Sequence, residues 1–373
     1  MTERFGSPRG YTLVEMLISM GIMITVTGAI FQMVNPSQGT ARVQPEYGDM
    51  QQRARVAAET LYKDLVMAGA GPYQGATTGS LANFFAPILP YRTGRVNPDP
   101  PGTYRDDAIT IVYVPHTSAQ TTISSDMPNQ SSEIKVNSQS NCPVGDPLCG
   151  FTEGMGCLIF DPLTGAFDNF EITSVQESAL HLQHRGQDFS ESYPLGAVIV
   201  QSESHTYYHD PIQNQLRHYD GIQTDIPVVD NVVDVVFDYW GDPDPPTAPR
   251  PPLNVANCVI DEAGNPRLAQ LAPGTGSLVR LDPAILRDGL PAWCGAGTNQ
   301  FDPDLFRVRK VQMRLRVQAS DPGMRPNAAA LASSPELRRL FMNPGTGMTG
   351  SEGFVPDFEV ILDVTPRNLN LTR

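Results

Sequence analysis

The sequence predicts an α+β protein: a long N-terminal helix, membrane-spanning and then amphipathic, packed on an antiparallel β-sheet domain with long Pro- and Gly-rich loops. Three observations carry this expectation. Residues 11–34 are an apolar run whose one charge is Glu15. Within 47–71, Met50, Ala54, Ala57, Ala58, Leu61, Leu65 and Ala68 recur at three- and four-residue spacing, the signature of one helical face. Several later runs alternate apolar and polar residues, as half-buried strands do, and 34 Pro with 32 Gly keep helix modest beyond the N-terminus.

At 1.5 Å rise per residue, 11–34 is long enough to cross a hydrocarbon core of about 30 Å. Arg4 and Arg9 precede it and the next basic residue is Arg42, a bias that favours a cytoplasmic N-terminus and an exported body. A secretory signal peptide would be shorter and end at a small-residue site, for which Thr27-Gly28-Ala29 is a weak match; a plain signal anchor fits the length. Neither accounts for Glu15, since a carboxylate in hydrocarbon is costly and is usually retained for a purpose.

Gly10 followed by Tyr11-Thr12-Leu13-Val14-Glu15 resembles a type IV prepilin leader. The resemblance implies that residues 1–10 are removed on the cytoplasmic side by a prepilin peptidase, which also methylates the new amino group of Tyr11. The apolar helix is then retained, with Glu15 fifth in the mature chain and paired with the amino group of a neighbouring subunit. Tyr11 stands where the family usually has Phe, so the aromatic ring is kept.

Asn35-Pro36 and Pro45 should kink or briefly melt the helix before its amphipathic part, which extends over 35–71, carries a Glu59–Lys63 i,i+4 pair, and is stopped by Gly69 and Gly71. Residues 72–373 read as a β-rich body. After a Pro/Gly-rich loop at 83–105, strand-like runs lie at 108–114, 157–160, 167–175, 180–183, 197–201, 205–209 and 214–219. Three further runs have clean period-two patterns: 232–239 and 357–364 carry acidic residues on their polar faces, while 310–317 presents Lys310, Gln312, Arg314 and Arg316. The basic strand should pair with at least one acidic strand. Insertions are expected at about 115–150, a polar surface excursion, at 241–303, Pro-rich, and at 320–353, with a short helix at 335–342.

Five cysteines are present without a C-x-x-C, which argues against a zinc ribbon or a thioredoxin-type motif. In an exported body, Cys142 with Cys149 would close a short loop and Cys258 with Cys294 would tie off the Pro-rich insertion, leaving Cys157 over; the alternative is that several are reduced.

The helix spine with its sheet is similar to minor pilins of the PilW type and to the related J pseudopilin of type II secretion, through QQRARVAAETLYKDLVMAGAG, VVDNVVDVVFDYW and FEVILDVTPRNLN, which closes with Arg367-Asn368. The chain length favours the first. This likeness implies a pilin-like fold, an inner-membrane precursor, partners that are other pilins contacted through the N-terminal helix, and a part in pilus initiation or the pilus tip, serving motility, adhesion or DNA uptake. The rivals are a minor pseudopilin of a type II secretion system and a membrane-anchored extracytoplasmic enzyme or binding protein.

A net charge of −14 argues against nucleic-acid binding through the bulk surface. No G-x-S-x-G, Walker A or H-E-x-x-H occurs, and the G-x-G-x-x-G at 345–350 lacks the strand and helix that a dinucleotide site needs. His181 with His184, and His205 with His209, read as ordinary surface or core histidines, and Tyr207, Tyr208, Tyr239 and Trp240 as sheet residues. Asp242-Pro243-Asp244 and the run from Asp161 to Asp168-Asn169 offer oxygens for calcium without matching an EF-hand loop. No catalytic residue, cofactor or metal ligand is assigned.

Overall fold

The computed structural model describes residues 10–72, 79–139, 142–273, 276–345 and 354–370, with side chains omitted at 33–42. It is an α+β structure, with an N-terminal apolar helix and several antiparallel sheets. The chain divides into two units, one of residues 1–51 with 319–356 and one of 52–318 with 357–373. The excursion at 320–353, expected as an insertion in the body from 72 onward, falls in the first of these units.

Helix α1 (Leu13–Met67) runs through Pro36 and Pro45 without a break. Each proline forfeits one backbone hydrogen bond, and the helical turns on either side continue, so the expected melting does not occur. In the first unit, Ser320 donates its amide to Glu46 (2.8 Å) and its hydroxyl to Asp49 (3.2 Å). Short helices α2 (Ala328–Ser333) and α3 (Pro335–Leu340) follow, capped by Asn327 and Ser334.

In the second unit, Ala54, Ala57, Leu61, Leu65 and Ala68 are buried along one stripe of α1. Glu59 pairs with Arg55 at 2.6 Å, one turn earlier than the expected Lys63. The helix stops where Gly69 takes a φ of +75° with Leu369 packed so close that a Cβ would clash. Asn368 donates to the carbonyl of Met67 at 3.2 Å, so the Arg367-Asn368 ending supplies a C-terminal cap.

Among the described residues, four antiparallel sheets replace the one broad sheet expected. The first orders β1 (Ile88–Leu89), β2 (Ala108–Tyr113), β10 (Glu203–Asp210), β11 (Gln215–Tyr219) and β12 (Asp225–Asp230). A second orders β3 (Gln120–Thr122), β9 (Val198–Gln201), β5 (Gly156–Phe160) and β6 (Phe167–Glu171). The third is β4 (Ile134–Lys135), β8 (His181–Gln183) and β7 (Ser174–Gln176). The stretch 117–150 is thus no surface excursion: it contributes β3 and β4, and Ile123, Ile134, Val136 and Leu148 enter a core with Phe170, Leu182 and Ile199. Its apolar residues are too sparse to show a period, yet these four are buried.

The fourth sheet orders β14 (Val279–Arg280), β13 (Val232–Gly241), β15 (Val308–Val317) and β16 (Phe358–Val364). The basic strand lies between the two acidic ones, with Arg316 opposite both Asp234 and Glu359. Lys310 meets Asp363 at 2.8 Å and Arg316 meets Asp357 at 3.3 Å. Such pairs contribute roughly 0.2–1 kcal/mol each and set register. Val311, Met313, Leu315 and Val317 fill the buried face.

Disulfides join Cys142 to Cys149 and Cys258 to Cys294, with Cα atoms 5.5 and 5.1 Å apart, and Cys157 is free and buried. In the chain-entropy account the longer loop stabilises by about 3–4 kcal/mol. Arg307 secures the same Pro-rich insertion from inside. It is 1% exposed, its Nε donates to Asp304, and its other nitrogens donate to the carbonyls of Pro243 (3.2 Å), Asp244 (2.8 Å) and Ala269 (2.5 Å).

Removing one partner of a buried, hydrogen-bonded ion pair costs about 3–5 kcal/mol because the other is left unpaired. Arg307→Ala should lower the chemical-denaturation midpoint by a corresponding amount, and Arg267→Ala, an exposed arginine in the same insertion, by less than half of it.

Candidate functional site

The N-terminal segment combines exposure with an apolar surface. The peptide bond between Gly10 and Tyr11 lies ahead of the first helical residue, with Tyr11 89% exposed. A Cβ built on Gly10 meets nothing within 4 Å, so the fold places no demand for glycine there.

Thr12 and Glu15 close a capping box. Glu15 accepts from the Thr12 amide at 2.9 Å and its hydroxyl at 3.0 Å, while the Glu15 amide approaches the Thr12 hydroxyl at 3.3 Å. The T-x-x-E spacing produces this because the N3 side chain reaches back to the N-cap as the N-cap reaches forward to N3. Beyond it, Leu13–Gln32 has a mean hydropathy of 1.9, and none of it is buried. Leu13, Val14, Met16, Leu17, Ile18, Ile22 and Val26 are all more than half exposed, and together they face every direction around the axis. One N-terminal helix is thus long and apolar enough to span a membrane. An exposed surface of this kind requires lipid or other apolar helices to cover it. Arg4 and Arg9, taken as the cytoplasmic flank, lie outside the described residues.

Elsewhere, the histidines singled out in the sequence are engaged within the fold. Both ring nitrogens of His184 face carbonyl oxygens at 2.7 Å, those of Gln187 and Ser132, and His181 meets Glu133 at 3.1 Å. His209 faces the Val232 carbonyl at 3.0 Å, and His205 turns to His218 on the next strand instead, 2.6 Å away. Tyr207 and Tyr239 are buried, and Tyr208 donates to Asp225.

The two runs considered for calcium are spent otherwise. The carbonyls of Pro243 and Asp244 accept from Arg307, and the Asp242 carboxylate meets Arg309 at 3.3 Å. Asp161 accepts from the Leu163 amide and the Thr164 hydroxyl. Asp168 accepts from Ser190, Tyr193 and Asn299, at 2.6–2.8 Å. It lies beside a polar cleft bordered by Arg95, Asn169, Gln187 and Thr298. The 345–350 glycine run falls outside the described residues after Gly345.

Sequence reasoning missed Asp64. It stands at a core position in the apolar stripe of α1, 6% exposed, and that placement of an acid among Leu61, Leu65 and Ala68 was the available signal.

No family model matches the chain, and no curated protein or solved structure was found similar to it.

Burial and the carboxylates of Asp161 and Asp168 push Glu191 up to about 7. A carboxyl whose folded-state pKa lies above its unfolded value favours folding at low pH, and that advantage is lost as pH rises through the folded value. Glu191→Gln should therefore flatten the fall in melting temperature between pH 5 and pH 8; an unchanged pH profile would refute this role.

Proposed function

We propose that this chain is a minor type IV pilin. It is inserted in the inner membrane through Leu13–Gln32 with its body outside, cut after Gly10, and assembled into the filament tip or its initiating complex through the same helix. One observation carries the reading: a wholly exposed apolar helix with a single charge, Glu15, held in its first turn directly after an exposed Gly10–Tyr11 bond. Helix-to-helix assembly would cover the apolar surface. Cutting after Gly10 would create an ammonium on Tyr11 within one turn of Glu15, and a neighbour's ammonium at that depth would neutralise the carboxylate and fix axial register.

Mass spectrometry of the N-terminal peptide from membranes of the native host tests the processing step. A chain beginning at Tyr11 and carrying a methyl group is expected; an uncut chain, or a cut after Ala29, would overturn the reading. Gly10→Ala should block processing without moving the melting temperature, since no neighbour crowds that position. Glu15→Gln, which keeps the capping geometry and removes the charge, should leave processing intact while lowering the amount recovered in sheared surface filaments at least about tenfold, the equivalent of 1.4 kcal/mol per assembly contact.

A further inference from the structure

Beneath the amphipathic part of α1, three ligand atoms from three elements converge: an Asp64 carboxylate oxygen from the helix, His205 Nδ1 from β10 and His218 Nε2 from β11, all within 4.8 Å of one another. The β10–β11 register sets Tyr207 opposite His218, which makes His205 and His218 diagonal neighbours on the face that α1 covers. We propose that these residues bind a divalent transition-metal ion, zinc by the match of donors, which fastens the helix spine to the sheet.

The outer contacts prepare the donors for metal. His205 Nε2 faces the carboxylate of Glu203 at 3.2 Å, and a carboxylate only accepts, so the ring proton sits there and the lone pair of Nδ1 points inward. Carboxylate–imidazole pairs of this kind orient metal-binding histidines and raise their basicity.

Asp64 is under-supplied with protons. Tyr207 donates to its Oδ2. Tyr113 has one proton, and its short contact is with Glu203 (2.6 Å), leaving Oδ1 of Asp64 at 3.3 Å. Among the described residues no Lys or Arg lies within ion-pair distance of Asp64; the ring nitrogen Nδ1 of His205 lies 3.8 Å away. A buried carboxylate without a cation is costly, and a bound divalent ion removes that cost.

Two nitrogens and one carboxylate oxygen suit zinc and disfavour calcium and magnesium, which take oxygen ligands. Two Zn–N bonds of about 2.0–2.1 Å at a tetrahedral angle place their nitrogens about 3.3 Å apart. Binding would part the rings modestly from their 2.6 Å separation, within reach of side-chain rotation on diagonal positions. The fourth position is left to water, which can enter because His205 is 19% exposed.

The test uses the full chain in detergent, without a polyhistidine tag, stripped by chelator and titrated with zinc against a chromophoric competitor. One equivalent should bind. His218→Gln should weaken binding at least about 100-fold, Glu203→Gln about 10–100-fold as an outer partner does, and His209→Gln should leave it unchanged. Cobalt should give the visible absorption of a tetrahedral site in the wild type and lose it in His218→Gln. If His218→Gln fails to fold, Glu203→Gln and the cobalt spectrum decide. Absence of stoichiometric zinc binding, an octahedral cobalt spectrum, or equal affinity in wild type and Glu203→Gln would overturn the proposal.

Discussion

The constraint on which the rest depends is that one continuous helix changes its patterning along its length. From Leu13 to Gln32 the surface is apolar on every side, so water is not a stable environment for it and some other apolar phase must cover it. From Ala54 to Ala68 only one stripe is apolar, and the sheet of the second unit covers that stripe. The backbone ladder is the same in both halves. What differs is where the hydrophobic surface is satisfied: outside the chain in the first half, within it in the second. A helix of this kind commits its N-terminal half to an environment that the chain itself does not provide.

Among the charged groups buried in the second unit, Arg307 and Asp64 make an informative contrast. Arg307 is enclosed by an aspartate and several carbonyl oxygens, so its positive charge is matched on every side and its cost of burial is offset by hydrogen bonds. Asp64 receives only phenols and an imidazole nitrogen. The two groups are comparably removed from water, yet one is complete and the other has capacity to spare. That difference, rather than burial alone, separates a structural ion from a site with room for a ligand.

Sequence patterning revealed the elements whose period is long enough to register. The stripe on α1 and the three charged strands were legible because each involves at least four correctly spaced residues, the stop at Gly69 because glycine ends helices, and complementary charge foretold that 310–317 would sit beside an acidic strand. The division into four sheets was not legible, because β3, β4 and β7 are two or three residues long and show no alternation. The cluster at Asp64 was hidden for a different reason. Spacing along one strand suggested His205 with His209, but the true partner lies across the hairpin, and only the register of β10 against β11 discloses it.

Glu15 has two local explanations that physical reasoning can separate. Capping is real in the single chain, since Thr12 and Glu15 satisfy each other's backbone groups, and such a cap stabilises a helix by about 0.5–2 kcal/mol. Glutamine at N3 completes the same box without a charge. A carboxylate on a membrane-spanning helix costs up to about 2.5–3.5 kcal/mol at the bilayer centre and less toward the interface. Capping therefore accounts for a hydrogen-bonding side chain at position 15 but not for its charge. The helix dipole recovers some of the cost, typically 0.3–1 kcal/mol, and the remainder calls for a cation at the same depth. No side chain within 11–34 of the same chain supplies one. The charge left over after capping is what the proposed pairing with a neighbour's amino group would account for, and the capping box keeps the carboxylate at the start of the helix, where such a group would meet it.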